Sequence, residues 1–349
     1  MKAEIAVMTE EKLDENALDK AGQILQQGGL VAFPTETVYG LGGDALDPAA
    51  SKKIYAAKGR PSDNPLIIHI ADMGHLQKIV KRVPEKAKIL AARCWPGPLT
   101  MIFEKSDCVP YETTGGLESV AVRMPVNRIA QEVIRRAGGY VAAPSANTSG
   151  RPSPTMARHV IDDLSDKVEM IIDGGMTDIG LESTIVDFTE EIPTILRPGY
   201  LNQQMLEEVI GEVRLDPGIL STDSNLRPKA PGMRYKHYAP RADLAVVEGS
   251  MENVVETINT LARNRLDEGA GVGIICTDET FSRYPLGKIK SIGARSNEES
   301  IAMHLYQVLR AFDEEEVDYI YSESFDTPRM GQAIMNRLLK AAGHEIIEA

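Results

Sequence analysis

Cysteine is scarce, three residues in 349, at positions 94, 108 and 276. An odd number so widely spaced cannot pair fully into disulfides and forms no C-x-x-C site, so reduced, mostly buried thiols are expected. Aromatic residues make up only 5 % of the chain. Basic residues are outnumbered, 38 Lys and Arg against 51 Asp and Glu, for a net charge of −13; this argues against a basic nucleic-acid coat. Long apolar runs are missing as well. Nothing approaches the roughly 18 uninterrupted apolar residues of a membrane span, and no apolar stretch follows Met1-Lys2-Ala3-Glu4-Ile5, so a cytoplasmic protein without a membrane partner is expected. What is present, 43 % hydrophobic and 26 % charged residues, suits a buried core rather than disorder. The length favours two domains over one.

Apolar positions Ala17, Leu18, Ala21, Ile24 and Leu25 recur at helical spacing before Gly28-Gly29, predicting a first helix over 14–27. Leu30–Phe33 then reads as a short buried strand. The same grammar repeats at Leu66–Ile70, Leu99–Phe103, Val120–Arg123, Tyr140–Ala143, Glu169–Ile172, Thr184–Phe188 and Thr194–Leu196, with helices at 48–57, 84–94 and 127–136. Only a turn separates 184–188 from 194–196, so the sheet is expected to be mixed. The expected domains are 1–210, a linker or active-site lid over 211–241, and a second α/β domain over 242–349. That last domain shows strands at Leu244–Val247, Val272–Cys276 and Tyr319–Tyr321, and helices near 251–267, 298–312 and 329–341.

Five segments stand out. Phe33-Pro34-Thr35-Glu36-Thr37-Val38-Tyr39-Gly40-Leu41-Gly42-Gly43 puts threonines, read as exposed, at the carboxyl end of a strand, where open α/β sheets bind ligands. Its glycines match neither dinucleotide nor P-loop spacing, so on pattern alone a tight strand-to-helix turn is the favoured reading. Lys58-Gly59-Arg60-Pro61-Ser62-Asp63-Asn64-Pro65 sets two cations on a stiff loop, suited to a polyphosphate or simply to a helix end. His69 lies in the apolar run 66–70 and reads first as a core histidine; no ligand cluster surrounds it, so zinc is discounted. Ala143-Pro144-Ser145-Ala146-Asn147 through Ser153 offers small residues and oriented polar groups, or a helix-capping loop. Arg123, Ser183 and Arg197 stand at strand ends, where arginines bind carboxylate or phosphate or form surface ion pairs. Lys229 to Arg241 carries four Lys or Arg, one His and no carboxylate in an acidic chain, suggesting an anionic ligand, with Tyr235 and Tyr238 available to stack.

Together with Trp95-Pro96-Gly97-Pro98-Leu99-Thr100, Val122-Arg123-Met124-Pro125 and Pro231-Gly232-Met233-Arg234-Tyr235-Lys236-His237-Tyr238, these segments resemble the threonylcarbamoyl-AMP synthase family in its long form. The resemblance implies a twisted mixed-sheet YrdC-like α/β domain plus a smaller Rossmann-like α/β domain. It implies a nucleotidyltransferase making threonylcarbamoyl-adenylate from L-threonine, bicarbonate or carbon dioxide, and ATP with Mg2+, for t6A at position 37 of tRNA. Thr35, His69, Arg123 and Ser183 would bind threonine. Lys58, Arg60, Ser62, Asn64, Ser119, Ala143, Ser145, Asn147, Ser153, Arg197 and Tyr235 would bind ATP, Tyr235 reaching in from the linker. No covalent nucleophile is implied. A tRNA-modifying transferase complex would be a transient partner, and tRNA a weak one. The alternatives are a double-stranded RNA or tRNA-binding module without turnover, disfavoured by the acidic total, and carbamoyl transfer in metalloenzyme maturation, for which zinc-finger cysteines and an acylphosphatase-like segment are lacking.

Overall fold

A computed structural model describes residues 2–219, 237–325 and 327–349. Tyr235 and most of the basic linker segment lie outside the described residues. The chain divides into two compact units: residues 150–152 group with those from 237 onward, and the remaining described residues form the other.

The first unit carries strands β1 (Glu4–Val7), β2 (Val31–Phe33), β3 (Gly40–Asp44), β4 (Ile67–His69), β5 (Leu99–Glu104), β6 (Ser119–Arg123), β7 (Val141–Ala142), β8 (Met170–Asp173), β9 (Thr184–Asp187), β10 (Thr194–Arg197) and β11 (Arg214–Leu215). They pair as one sheet in the order β1-β8-β2-β3-β7-β4-β6-β5-β9-β10-β11. The sheet is mixed: β4 and β6 run parallel, β5 and β6 antiparallel, and the short turn after β9 makes β9 and β10 antiparallel, as expected. Its helices are α1 (Glu15–Gln26), α2 (Pro48–Lys58), α3 (Leu76–Ile79), α4 (Glu85–Cys94), α5 (Tyr111–Thr114), α6 (Arg128–Arg136), α7 (Ala157–Leu164) and α8 (Gln203–Ile210).

Local chemistry sets these boundaries. The Asp14 carboxylate accepts from Ala17 N at 3.0 Å and caps α1; Leu18, Ala21 and Leu25 then fall on one buried face. Along β2 the two-residue alternation sends Ala32 to one apolar cluster and Val31 and Phe33 to another, so the sheet is covered on both faces. The sheet also continues past residue 210. β11 pairs with β10, and Val213 and Ile219 are buried in the larger core cluster.

Two expectations are corrected here. Gly40–Asp44 is a strand, not a strand-to-helix turn, and it runs antiparallel to β2. A Cβ on Gly42 would lie 2.7 Å from Phe33 Cε1, so the glycine leaves room for a neighbouring ring. The thiols are free but not mostly buried: Cys108 is exposed, Cys94 intermediate and Cys276 alone buried.

The second unit has strands β12 (Asp243–Glu248), β13 (Val272–Cys276), β14 (Lys288–Ser291), β15 (Tyr319–Glu323) and β16 (Ile346–Glu348), all parallel in the order β14-β13-β15-β12-β16, with α9 (Met251–Asp267), α10 (Glu298–Asp313) and α11 (Gly331–Ala341). This is the expected Rossmann-like layout. Ser250 and Asn297 cap α9 and α10. Tyr238 is buried within this unit, its ring 5.1 Å from that of Tyr306, so of the two linker tyrosines this one packs into the carboxyl-terminal unit.

Candidate active site

Strand register assembles the site. His69 on β4 pairs with Arg123 on β6, Arg123 with Thr100 on β5, Thr100 with Ile185 on β9, and Ile185 with Arg197 on β10. Paired residues project from the same face of a sheet, so five strands contribute to one row. Two residues further along the strands lie Ile67, Ala121 and Ile102, which cluster with Ile185 and Leu196 as an apolar floor beside the polar row. Arg197 enters the row because the register shifts between Ile195 and Arg197. Such a bulge re-aims the side chain that follows it.

Hydrogen bonds tie the row together. Arg123 donates from Nε to Gly97 O at 3.3 Å and from Nη1 to Thr37 Oγ1 at 2.8 Å. Its Nη2 lies 2.7 Å from Glu36 Oε1 with both side chains buried, although neither atom meets hydrogen-bond geometry, so that contact is charge against charge. Thr37 Oγ1 shares a 2.9 Å bond with Thr35 Oγ1, which in turn donates to Val38 O. On the other side Thr100 Oγ1 and Ser183 Oγ are 2.7 Å apart, and Arg197 donates to Ser183 from Nε and Nη2. His69 is fully enclosed. Burial, then the nearby Arg123 charge, pushes its imidazole down to about 3, so the ring is neutral at ordinary pH.

A second cluster surrounds Lys58, the last residue of α2. Its buried ammonium donates to the carbonyls of Ser145 and Asn147, the latter at 2.6 Å. Ser145 Oγ donates to Asn147 Oδ1 at 2.6 Å. Arg60 turns back on its own loop, donating to Asn64 O at 3.2 Å and Pro65 O at 3.1 Å, so the two cations of this loop have different partners. Asn64 is buried and Ser62 exposed. Ser153 Oγ donates to Glu182 Oε1 at 2.5 Å.

Backbone bonds join the clusters. Tyr39 N donates to Pro154 O, Ala146 N to Tyr39 O, and Ile179 N and Gly180 N to the carbonyls of Glu36 and Thr37. Ala143 N donates to Ile67 O, in the same strand as His69.

Thr35, His69, Arg123, Ser183 and Arg197 thus share one network or row, while Lys58, Ser145 and Asn147 form its neighbour. Thr35 and Thr37 are buried, not exposed as the sequence suggested. Ser119 begins β6, the strand that Arg123 ends; four residues of extended chain separate them by about 13 Å. Sequence reasoning missed Glu36, Thr37, Thr100 and Glu182. Their signal was present for Glu36, an acid flanked by two hydroxyls after a strand, but nothing local indicated that it would meet Arg123. Among the described residues no three His, Cys, Asp or Glu side chains gather as metal ligands, and no helix is long and apolar enough to cross a membrane.

Fold and site together define a mixed-sheet α/β domain that carries a row of arginine, histidine and hydroxyl groups, followed by a parallel-sheet α/β domain. Comparison with known proteins narrows this. The family model Sua5_yciO_yrdC, described as "Telomere recombination", matches residues 23–199, and the model described as "Threonylcarbamoyl-AMP synthase, C-terminal domain" matches 201–343. Threonylcarbamoyl-AMP synthase of Bacillus subtilis is 47 % identical over 98 % of both chains, and that of Pyrococcus abyssi 47 % identical over 99 % of both. The crystal structure of P. abyssi Sua5 complexed with L-threonine superimposes with a TM-score of 0.93 at 45 % identity, covering 100 % of both chains. The chain belongs to the threonylcarbamoyl-AMP synthase family in its two-domain form.

Proposed function

We propose that this chain joins L-threonine, bicarbonate or carbon dioxide, and ATP into threonylcarbamoyl-adenylate, releasing pyrophosphate, and that the product serves t6A formation in tRNA. The observation that carries this reading is the row His69–Arg123–Thr100 with Ser183 and Arg197 attached, a compact set of anion-binding and hydroxyl groups over an apolar floor.

The chemistry needs little from side chains. The neutral threonine amine adds to carbon dioxide and gives up a proton to solvent, or condenses with bicarbonate with loss of water, to give a carbamate; a carbamate oxygen attacks the α-phosphorus, and pyrophosphate departs with the electrons of the broken P–O bond. The protein's part is to orient, neutralise charge and keep water from a labile carbamate. In this reading Arg123 takes the threonine carboxylate, and Thr35, Ser183 and the neutral His69 surround the rest of the amino acid. Lys58, Arg60, Ser62, Asn64, Ser145, Asn147, Ser153 and Arg197 serve the nucleotide, with Ser119 and Ala143 as minor contacts and Tyr235 reaching in from the linker. Lys58 acts largely by holding the 145–147 loop, since that loop's carbonyls accept its protons. Magnesium arrives with the triphosphate as part of that substrate. Of the divisions expected at 1–210, 211–241 and 242–349, the first is carried on to residue 219 by β11 and the buried Val213 and Ile219; catalytic domain, lid and appended domain are proposed in that order along the chain, and transfer of the product to a tRNA-modifying complex is proposed as a transient encounter.

Pyrophosphate release should require both L-threonine and bicarbonate; release with either omitted rejects the reading. Arg123→Lys is the informative variant, because it keeps a charge facing Glu36 while removing the planar fork. It should raise the threonine KM at least tenfold and leave the ATP KM within about twofold. Equal effects on both would reject Arg123 as the carboxylate partner.

A further inference from the structure

Among the described residues Glu36 is the carboxylate that faces the Arg123 guanidinium, and the mechanism above gives it no task. It is buried, its Oε2 accepts from Val126 N at 3.3 Å, and its backbone carbonyl accepts from Ile179 N, so main chain and side chain are each held by a hydrogen bond. Its Oε1 faces Arg123 Nη2 at 2.7 Å.

A guanidinium has five N–H donors in a plane. In Arg123 the Nε donor is used by Gly97 O, one Nη1 donor by Thr37 Oγ1, and Nη2 lies against Glu36. Three partners on three sides determine the plane and rotation of the group. One N–H of Nη1 and both of Nη2 are left without a hydrogen-bond acceptor among the described residues, enough for a carboxylate to be held by one bond from each terminal nitrogen. Gly97 and Thr37 are neutral and hold the guanidinium only by hydrogen bonds. Glu36 adds the charged contact, and with its charge gone the guanidinium would keep just two weak restraints.

We propose that Glu36 is a positioning residue: it locks the Arg123 fork in the orientation that recognises the α-carboxylate of the amino acid, without touching substrate itself. This rests on the reading of Arg123 as the carboxylate partner and deepens it.

The test compares binding of L-threonine with that of L-threoninamide, which lacks the carboxylate, by calorimetry on the full chain. The ratio of the two affinities isolates carboxylate recognition, and a general loss of structure would weaken both ligands alike. Glu36→Gln keeps size and an acceptor for Val126 N but removes the charge; it should cut the ratio at least tenfold while ATP affinity stays within twofold. Glu36→Ala should cut it at least as far, and if that variant does not fold the Gln variant decides. A ratio within twofold of wild type in Glu36→Gln overturns the inference. Arg123→Lys separates the two layers: if it leaves the ratio intact, the carboxylate assignment itself fails; if it collapses the ratio while Glu36→Gln does not, only the role of Glu36 fails.

Discussion

The neutral His69 shows how far a residue's chemistry depends on its surroundings. The sequence offered an imidazole inside an apolar strand, compatible with a core residue or a ligand. Burial beside Arg123 holds it neutral down to about pH 3, whereas in the unfolded chain it binds a proton near 6.5. Between those values the unfolded state carries the extra proton, so stability is complete above pH 6.5 and falls as the pH drops through the window. From pH 7 to pH 5 this one group should cost about 2 kcal/mol. Urea unfolding at both pH values checks it: His69→Asn should lose that much less than wild type, and parallel losses would show that His69 is not the source. Such residue-level facts were partly readable. Arg123, Ser183 and Arg197 stood out as polar groups at strand ends, but the Glu36–Arg123 pair joins positions 87 apart in the chain, and no local pattern announces a contact made by sheet closure.

At the level of elements, apolar runs such as 66–70 and 99–103 were legible because strands buried on both faces read as continuous hydrophobic stretches. The glycine-rich strand β3 was not, since glycine disfavours strands and marks turns. Its glycines answer to neighbours instead of to backbone angles. Gly42 faces Phe33 Cε1 at 2.7 Å, Val141 Cγ1 at 3.0 Å and Val31 O at 3.1 Å from where a Cβ would stand. Gly42→Ala would gain about 0.4–1 kcal/mol by restricting the unfolded chain, but overpacking a buried ring costs about 1–3 kcal/mol. The net expectation is a loss of about 1–2 kcal/mol. An unchanged urea midpoint would mean that Phe33 moves aside freely. The bulge in β10 was equally invisible, because one extra residue leaves no mark in a short apolar run, yet it is what brings Arg197 into the site row.

For the molecule as a whole, the division into a mixed-sheet and a parallel-sheet unit was legible from the loss of pattern after Ile210, while the extent of the first sheet was not. Two-residue β11 is too short to show periodicity, and Ile219 follows directly on the turn-forming Asp216-Pro217-Gly218. Both matter for where the first unit can be cut. A chain ended at residue 210 loses Val213 and Ile219 from the main core. Since burying such a side chain contributes about 1.5–3 kcal/mol, the loss of two should leave that fragment about 3–6 kcal/mol less stable than one ended at 219. Urea titration of the two fragments measures the difference, and equal midpoints would show that β11 and its flanks add nothing.

The site row is drawn from segments that leave the ribosome at widely separated times: His69 early, Thr100 and Arg123 later, Ser183 and Arg197 last. The nascent chain therefore holds an incomplete receptor until β9 has docked on β5 and β10 on β9. Fragments released by premature termination before that point lack Ser183 and Arg197 and should have no means of consuming nucleotide.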